Sequence, residues 1–113
     1  MSQRHYKMIV LSRPAAGRED EYNDWYQNFH LSQVVNIRDI KSAQRFRLAR
    51  KLVEGEASPY AAIYEIETDD IDAVVDEIKA LAGTESLQIS DALATDFTNA
   101  TIYEEFGAVV RKP

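Results

Sequence analysis

The sequence predicts an α+β fold in which two helices lie on one face of a four-stranded antiparallel sheet. Three observations carry that expectation. Two segments, 17–29 and 69–83, repeat apolar residues at intervals of three and four, the helical period. Four others show the continuous or alternating apolar pattern of strands. The six follow one another as strand, helix, strand, strand, helix, strand, the split βαβ arrangement of ferredoxin-like (βαββαβ) domains.

The first strand is read over 5–13, HYKMIVLSR, which centres on four consecutive apolar residues, Met8 to Leu11, and stops at Pro14 and Gly17. A short run that is apolar on both sides suits a strand buried on both faces, and proline and glycine terminate it. In the first helix, GREDEYNDWYQNF, residues Tyr22, Trp25, Tyr26 and Phe29 share one face. Glu19, Asp20 and Glu21 put negative charge at the positive end of the helix dipole. HLSQVVNI continues as a short extra turn. The second strand is read over 42–50, with Gln44, Phe46 and Leu48 on one side and Ala43, Arg45, Arg47 and Ala49 on the other.

Gly55, Ser58 and Pro59 then mark a loop, after which YAAIYEIE places Tyr60, Ala62, Tyr64 and Ile66 on one side of a third strand, paired with the second as a hairpin. The second helix shows an unbroken stripe of Ile71, Val74, Val75, Ile78, Leu81 and Ala82. Asp69 or Asp70 caps its start and Gly83 takes the left-handed conformation at its end. TESLQISDALATDFTNA has no dominant period. TIYEEFGAVV reads as the last strand, broken or bulged at Gly107, and no segment repeats another.

Right-handed crossovers place both helices on the same face, leaving the opposite face bare. With strand one apolar on both sides, Ile9 or Val10 and their neighbours lie on that bare face, and such a surface predicts an interface. A two-fold homodimer packed sheet against sheet closes it most simply. The length of 113 residues fits one domain, 1–113. A chain this short buries only about two-thirds of its unfolded surface, which also favours a partner copy.

Nineteen acidic and thirteen basic residues give a formal charge of −6, with the basic residues scattered except for the pair Arg50, Lys51 and the tail RKP. That field repels phosphate backbones and anionic lipid, so neither nucleic acid nor a membrane is an expected partner. The absence of cysteine excludes disulfides, thiolate nucleophiles and iron–sulfur clusters. The N-terminal apolar run is too short for a signal-peptide core, and no segment approaches the roughly 20 apolar residues of a membrane span. A cytoplasmic location is expected.

The run EYNDWYQNFHLSQVVNIRDIKSAQRFRLA, the later YAAIYEIE, and the end segments ISDAL and IYEEFG resemble the dimeric α/β-barrel superfamily. The likeness is to its branch similar to EthD, the ethyl tert-butyl ether degradation protein, and it covers nearly the whole chain. Its most specific part is the aromatic helix ending in His-Leu followed by SAQRFR. The resemblance implies homodimers whose two sheets form a barrel, with a cavity between helices and sheet in each subunit. Characterised members of the superfamily include polyketide cyclases, muconolactone isomerases, cofactor-independent monooxygenases and haem-degrading oxygenases. This chain differs in having Ser32 where relatives usually carry proline, and Arg38-Asp39 where they commonly have Pro-Gly.

His30 is the group whose intrinsic pKa lies nearest neutrality, which suits it to general acid/base work. As a histidine near a helix end it also has the reading of a cap on free carbonyls. Tyr26 lies one turn before it, with Trp25 beside it, an aromatic wall fitted to a planar substrate or simply to a core. Tyr60 and Tyr64 share a strand face and offer hydroxyls to an enolate or carbonyl oxygen. Arg45 either pairs with Glu65 and Glu67 on the partner-facing side or binds a substrate carboxylate at the pocket edge. Phe46 and Tyr103 complete the expected pocket wall.

Two histidines and no cysteine give no metal-ligand spacing, and no serine sits in a strand-to-helix elbow. What the resemblance to the superfamily implies, by analogy of fold, is a cofactor-independent proton transfer next to a carbonyl of a hydrophobic aromatic or cyclic metabolite, as in a cyclase, isomerase, dehydratase or lyase. The expected catalytic residues are His30 and Tyr64. The alternatives are a non-catalytic ligand-binding or stress-related homodimer and a cofactor-independent monooxygenase.

Overall fold

The computed structural model describes residues 3–113. Its strands are β1 (Arg4–Ser12), β2 (Ile40–Arg47), β3 (Tyr60–Thr68) and β4 (Asn99–Glu104), and its helices are α1 (Glu19–Trp25), α2 (Leu31–Val35) and α3 (Ile71–Leu81). The strands form one antiparallel sheet in the order β2-β3-β1-β4. Met8, at the centre of β1, stands opposite Tyr64 on β3 and Ile102 on β4. This is the ferredoxin-like βαββαβ arrangement.

The alternation of side chains along each strand fixes which residues meet the helices. Met8 and Ser12 of β1, Ala62, Tyr64, Ile66 and Thr68 of β3, and Ile40 of β2 are buried on the inner face. Tyr22, Tyr26, Leu31 and Val34 descend onto them from the first helical segment, and Val74 descends from α3. The α3 boundaries follow the expected chemistry. The Ala73 N–H donates to Asp70 Oδ1 at 3.1 Å, and Gly83 sits at φ +86°, where a side chain is disfavoured.

The first helical segment departs from a plain α-helix in a way that decides which residues face the sheet. Between α1 and α2 it widens into a π turn over Tyr26–His30, closed by the Leu31 N–H bonding to the Tyr26 carbonyl five residues back. At about 100° per residue, one extra residue in the turn rotates everything after it by nearly a third of a revolution. The buried positions therefore pass from Tyr22 and Tyr26 to His30, Leu31 and Val34, while Phe29 turns outward at 39% exposure. The expectation that Phe29 shares the inward stripe fails for this reason.

The strand ends also differ from the sequence reading. β2 begins at Ile40, where the register with β3 shifts, and it stops at Arg47. β4 starts at Asn99 and ends at Glu104, so Gly107 lies beyond the sheet and forms no bulge in it. The cause is the neighbour. β4 runs antiparallel to β1, and once the Glu105 N–H has bonded to the His5 carbonyl, β1 offers almost no further backbone to pair with.

The outer face of the sheet carries Ile9, Leu11, Ile63, Phe46 and Tyr103, together with a Lys7–Glu65 pair and His5 Nδ1 at 3.2 Å from Glu67. Residues 84–93 fold over one end of the helix–sheet layer. Leu87 and Ala92 are buried there, and Gln33 of α2 holds the segment by donating to the Glu85 carbonyl and accepting from the Gln88 N–H. Among the described residues, no helix is long and apolar enough to cross a membrane.

Candidate functional site

Between the helices and the inner sheet face lies a cavity of about 180 Å³. β1 contributes Met8 and Val10, β3 contributes Tyr64, the first helical segment contributes Tyr26, His30, Val34 and the following Ile37, and α3 contributes Ile78. Leu87 closes one end, and Ala82, Ile89 and Ala100, all solvent-exposed, form the rim. The lining is apolar except for one imidazole and two phenols.

His30 is 9% exposed and sits in mid-segment, with α2 running on to Val35. It therefore does not cap a helix end. Trp25 stacks against its ring at 4.4 Å between centroids, and the Tyr26 ring meets it edge-on at 5.0 Å. Its Nδ1 is buried with no hydrogen-bond partner. Burial lowers the His30 pKa to about 4, opposed only in part by the Gln88 backbone, so the imidazole is neutral at pH 7. The Tyr64 hydroxyl is likewise buried without a partner. Burial, with the Tyr26 phenol nearby, holds the Tyr64 pKa far above the ordinary tyrosine value, and burial raises Tyr26 as well. Both phenols stay protonated.

The structure brings His30, Tyr26 and Tyr64 to the cavity, with Trp25 supporting the imidazole from behind. It separates the other expected site residues from it. Arg45 lies on the inner face of β2, opposite Ala62, and not on the outer face beside Glu65 and Glu67. Its guanidinium donates to Asn23 Oδ1 at 2.8 Å and rests over the rings of Tyr26, Tyr60 and Tyr22 at 4.7, 5.2 and 5.4 Å. Glu65 and Glu67 pair instead with Lys7 and His5.

Tyr60 does not line the cavity. Its hydroxyl accepts from Asn23 Nδ2 at 3.1 Å and donates to Glu19. Phe46 and Tyr103 are on the outer sheet face at 44% and 60% exposure, because each is one residue out of phase with the inward positions of its strand. Val10, Val34, Ile37, Leu87 and Ile89 were missed as cavity walls. No residue-type signal marks them, since a wall valine and a core valine have the same pattern. Among the described residues, no three histidine, cysteine, aspartate or glutamate side chains converge as a metal site would require.

Fold and site together define a ferredoxin-like α+β protein with an apolar helix–sheet cavity bearing a neutral imidazole and two phenols. No protein-family model and no curated protein matches the sequence. Solved structures do share the architecture. An EthD-family protein of Bacillus halodurans superposes with a TM-score of 0.62 at 14% identity, over 90% of this chain and 99% of that one. A protein of Shewanella loihica, provisionally assigned as a monooxygenase, gives 0.59 at 12% identity over 99% and 100% of the two chains. A protein of Arabidopsis thaliana gives 0.58 at 18% identity over 95% and 99%. The chain thus has the EthD-like fold, and the likeness extends over essentially the full length of each relative.

Proposed function

We propose that this chain is a small cofactor-independent enzyme that moves a proton next to a carbonyl group of a hydrophobic aromatic or cyclic metabolite. The observation that carries the reading is the pair of buried, unpartnered polar atoms, His30 Nδ1 and Tyr64 Oη, on two residues that line a cavity whose only other polar lining group is the Tyr26 phenol. Leaving a buried polar group without a hydrogen bond costs about 1–3 kcal/mol, and a ligand oxygen would remove that cost. His30, neutral because it is buried, is free to accept a proton from carbon. The Tyr64 phenol, protonated for the same reason, donates to the carbonyl oxygen as negative charge develops on it. Trp25 fixes the plane of the imidazole. An imidazolium formed in this setting is unstable and readily returns its proton, which suits an isomerase, cyclase, dehydratase or lyase.

A homodimer belongs to this reading. Leu11 and Phe46 are exposed on the outer sheet face beside Ile9 and Ile63, and a second copy would cover them. Sedimentation would then give twice the chain mass of 12.9 kDa.

The catalytic step is tested by incubating the protein with a cyclic ketone in heavy water and following loss of the α-proton signal by NMR. His30→Gln should slow the exchange by about 10²-fold or more. Equal exchange in the variant eliminates the proton-transfer role. A pKa of about 4 makes His30 a weak base at pH 7, and this favours a second reading as a non-catalytic or stress-related ligand-binding dimer. Tight ketone binding with no exchange would select it. The provisional assignment of the Shewanella protein suggests a third, oxygenation without a cofactor, which oxygen consumption would reveal.

A further inference from the structure

We infer that the cavity takes a neutral, single-ring molecule bearing one hydroxyl or carbonyl oxygen and no ionised group. This ligand class presupposes the ligand-binding role of the cavity proposed above and adds to it a limit of size and a limit of charge.

Size follows from volume and from the stiffness of the walls. An apolar protein cavity of about 150 Å³ accommodates benzene. The 180 Å³ here holds one six-membered ring with one or two small substituents. Val10, Val34, Ile37 and Ile78 are β-branched, with restricted χ1 angles, so the walls do not readily retreat, and a second fused ring would stand out past the exposed rim of Ala82, Ile89 and Ala100 and gain little burial.

Charge follows from what the lining omits. No lysine, arginine, aspartate or glutamate belongs to it. Arg45 rests over the Tyr26 ring but does not line the cavity, and Asn23 already accepts from it. A carboxylate entering would be desolvated with no cation to pair with, and an ammonium would find no anion. Burial also keeps His30 neutral, so the imidazole supplies no counter-charge. What remains among the lining residues is the Tyr26 phenol beneath Arg45 and two buried, unpartnered groups, the Tyr64 phenol and the neutral His30 imidazole, among apolar side chains. A ring hydroxyl or ring carbonyl matches that pair, and the apolar remainder of the ring matches the rest.

Calorimetric titration of the intact chain at pH 7 with phenol, cyclohexanone, benzene, benzoate and 2-naphthol tests this. Phenol and cyclohexanone should bind about tenfold more tightly than benzene, the worth of one satisfied hydrogen bond. Benzoate should bind about a hundredfold more weakly than phenol, or not measurably. The fused ring of 2-naphthol should bring no gain over phenol. Tyr64→Phe, which keeps the ring shape, should cost phenol and cyclohexanone about tenfold and leave benzene unchanged.

Benzoate binding within threefold of phenol, a tighter complex with 2-naphthol, a Tyr64→Phe effect equal for all ligands, or no binding by any neutral ring would each overturn the inference. The catalytic reading fails separately. Neutral rings that bind selectively while cyclohexanone shows no α-proton exchange leave the ligand class standing and remove the enzyme. Exchange of cyclohexanone alongside equal benzoate affinity does the reverse.

Discussion

Lowering the pH from 7 to 5 should destabilise the wild-type chain far more than a His30→Gln variant. In the folded protein the imidazole is 9% exposed and its pKa is depressed to about 4, whereas in the unfolded chain it returns to about 6.5. Below pH 6.5 the unfolded state therefore binds a proton that the folded state refuses, and stability falls as the pH drops toward 4. The full shift corresponds to about 3 kcal/mol at about 1.4 kcal/mol per unit, of which about 2 kcal/mol is already lost at pH 5.

Glutamine fills a similar space and does not titrate, so the variant lacks this loss. Every other titrating group is common to the two proteins and cancels in the comparison, and Asp39 and Asp91, depressed in the folded state, protonate only below the ordinary aspartate range. Urea unfolding of both proteins at pH 7 and pH 5, at one fixed protein concentration, gives the difference directly. A loss of stability equal in the two proteins would mean that His30 titrates normally in the native state. The imidazole would then be solvated, and the site built around it would be wrong.

Phe29→Ala should cost less than about 1 kcal/mol, whereas Tyr26→Ala should cost about 3–5 kcal/mol; similar losses in thermal unfolding would restore the straight helix and discard the π turn. Tyr64→Phe should stabilise the ligand-free protein by about 1 kcal/mol, since it removes a buried hydroxyl that has no partner, and a destabilised variant in denaturant titration would mean the hydroxyl is bonded. Gln33→Ala should release residues 84–88, read as faster amide hydrogen exchange in that segment than in β1 or β3; unchanged protection would assign the hold to the buried Leu87 alone.

Local pattern made most of the architecture legible. The stripe from Ile71 to Leu81 with Asp70 before it and Gly83 after it specified α3 almost to the residue, and the alternation of Tyr60, Ala62, Tyr64 and Ile66 specified the buried side of β3. These signals suffice because periods of 3.6 and 2 are properties of the backbone, read without knowing any neighbour. The order of elements then restricted the topology, since right-handed crossovers leave one arrangement of two helices on four strands.

What the sequence by itself determined was thus the set of elements and their order; it offered His30, Tyr26 and Tyr64 only as candidates, and it is the fold that sets them in the lining of one cavity. Only the tertiary structure decided which way Phe29 and Arg45 point, that Phe46 and Tyr103 stand on the outer face, and that Leu87 closes one end of the cavity while Ile89 stands at its rim. The orientation of a side chain after a one-residue π insertion, or on a strand whose register shifts at Ile40, depends on contacts from distant parts of the chain. A single added residue turns a helix by about 100° and flips a strand to its other face, so a small local irregularity redirects every residue that follows it.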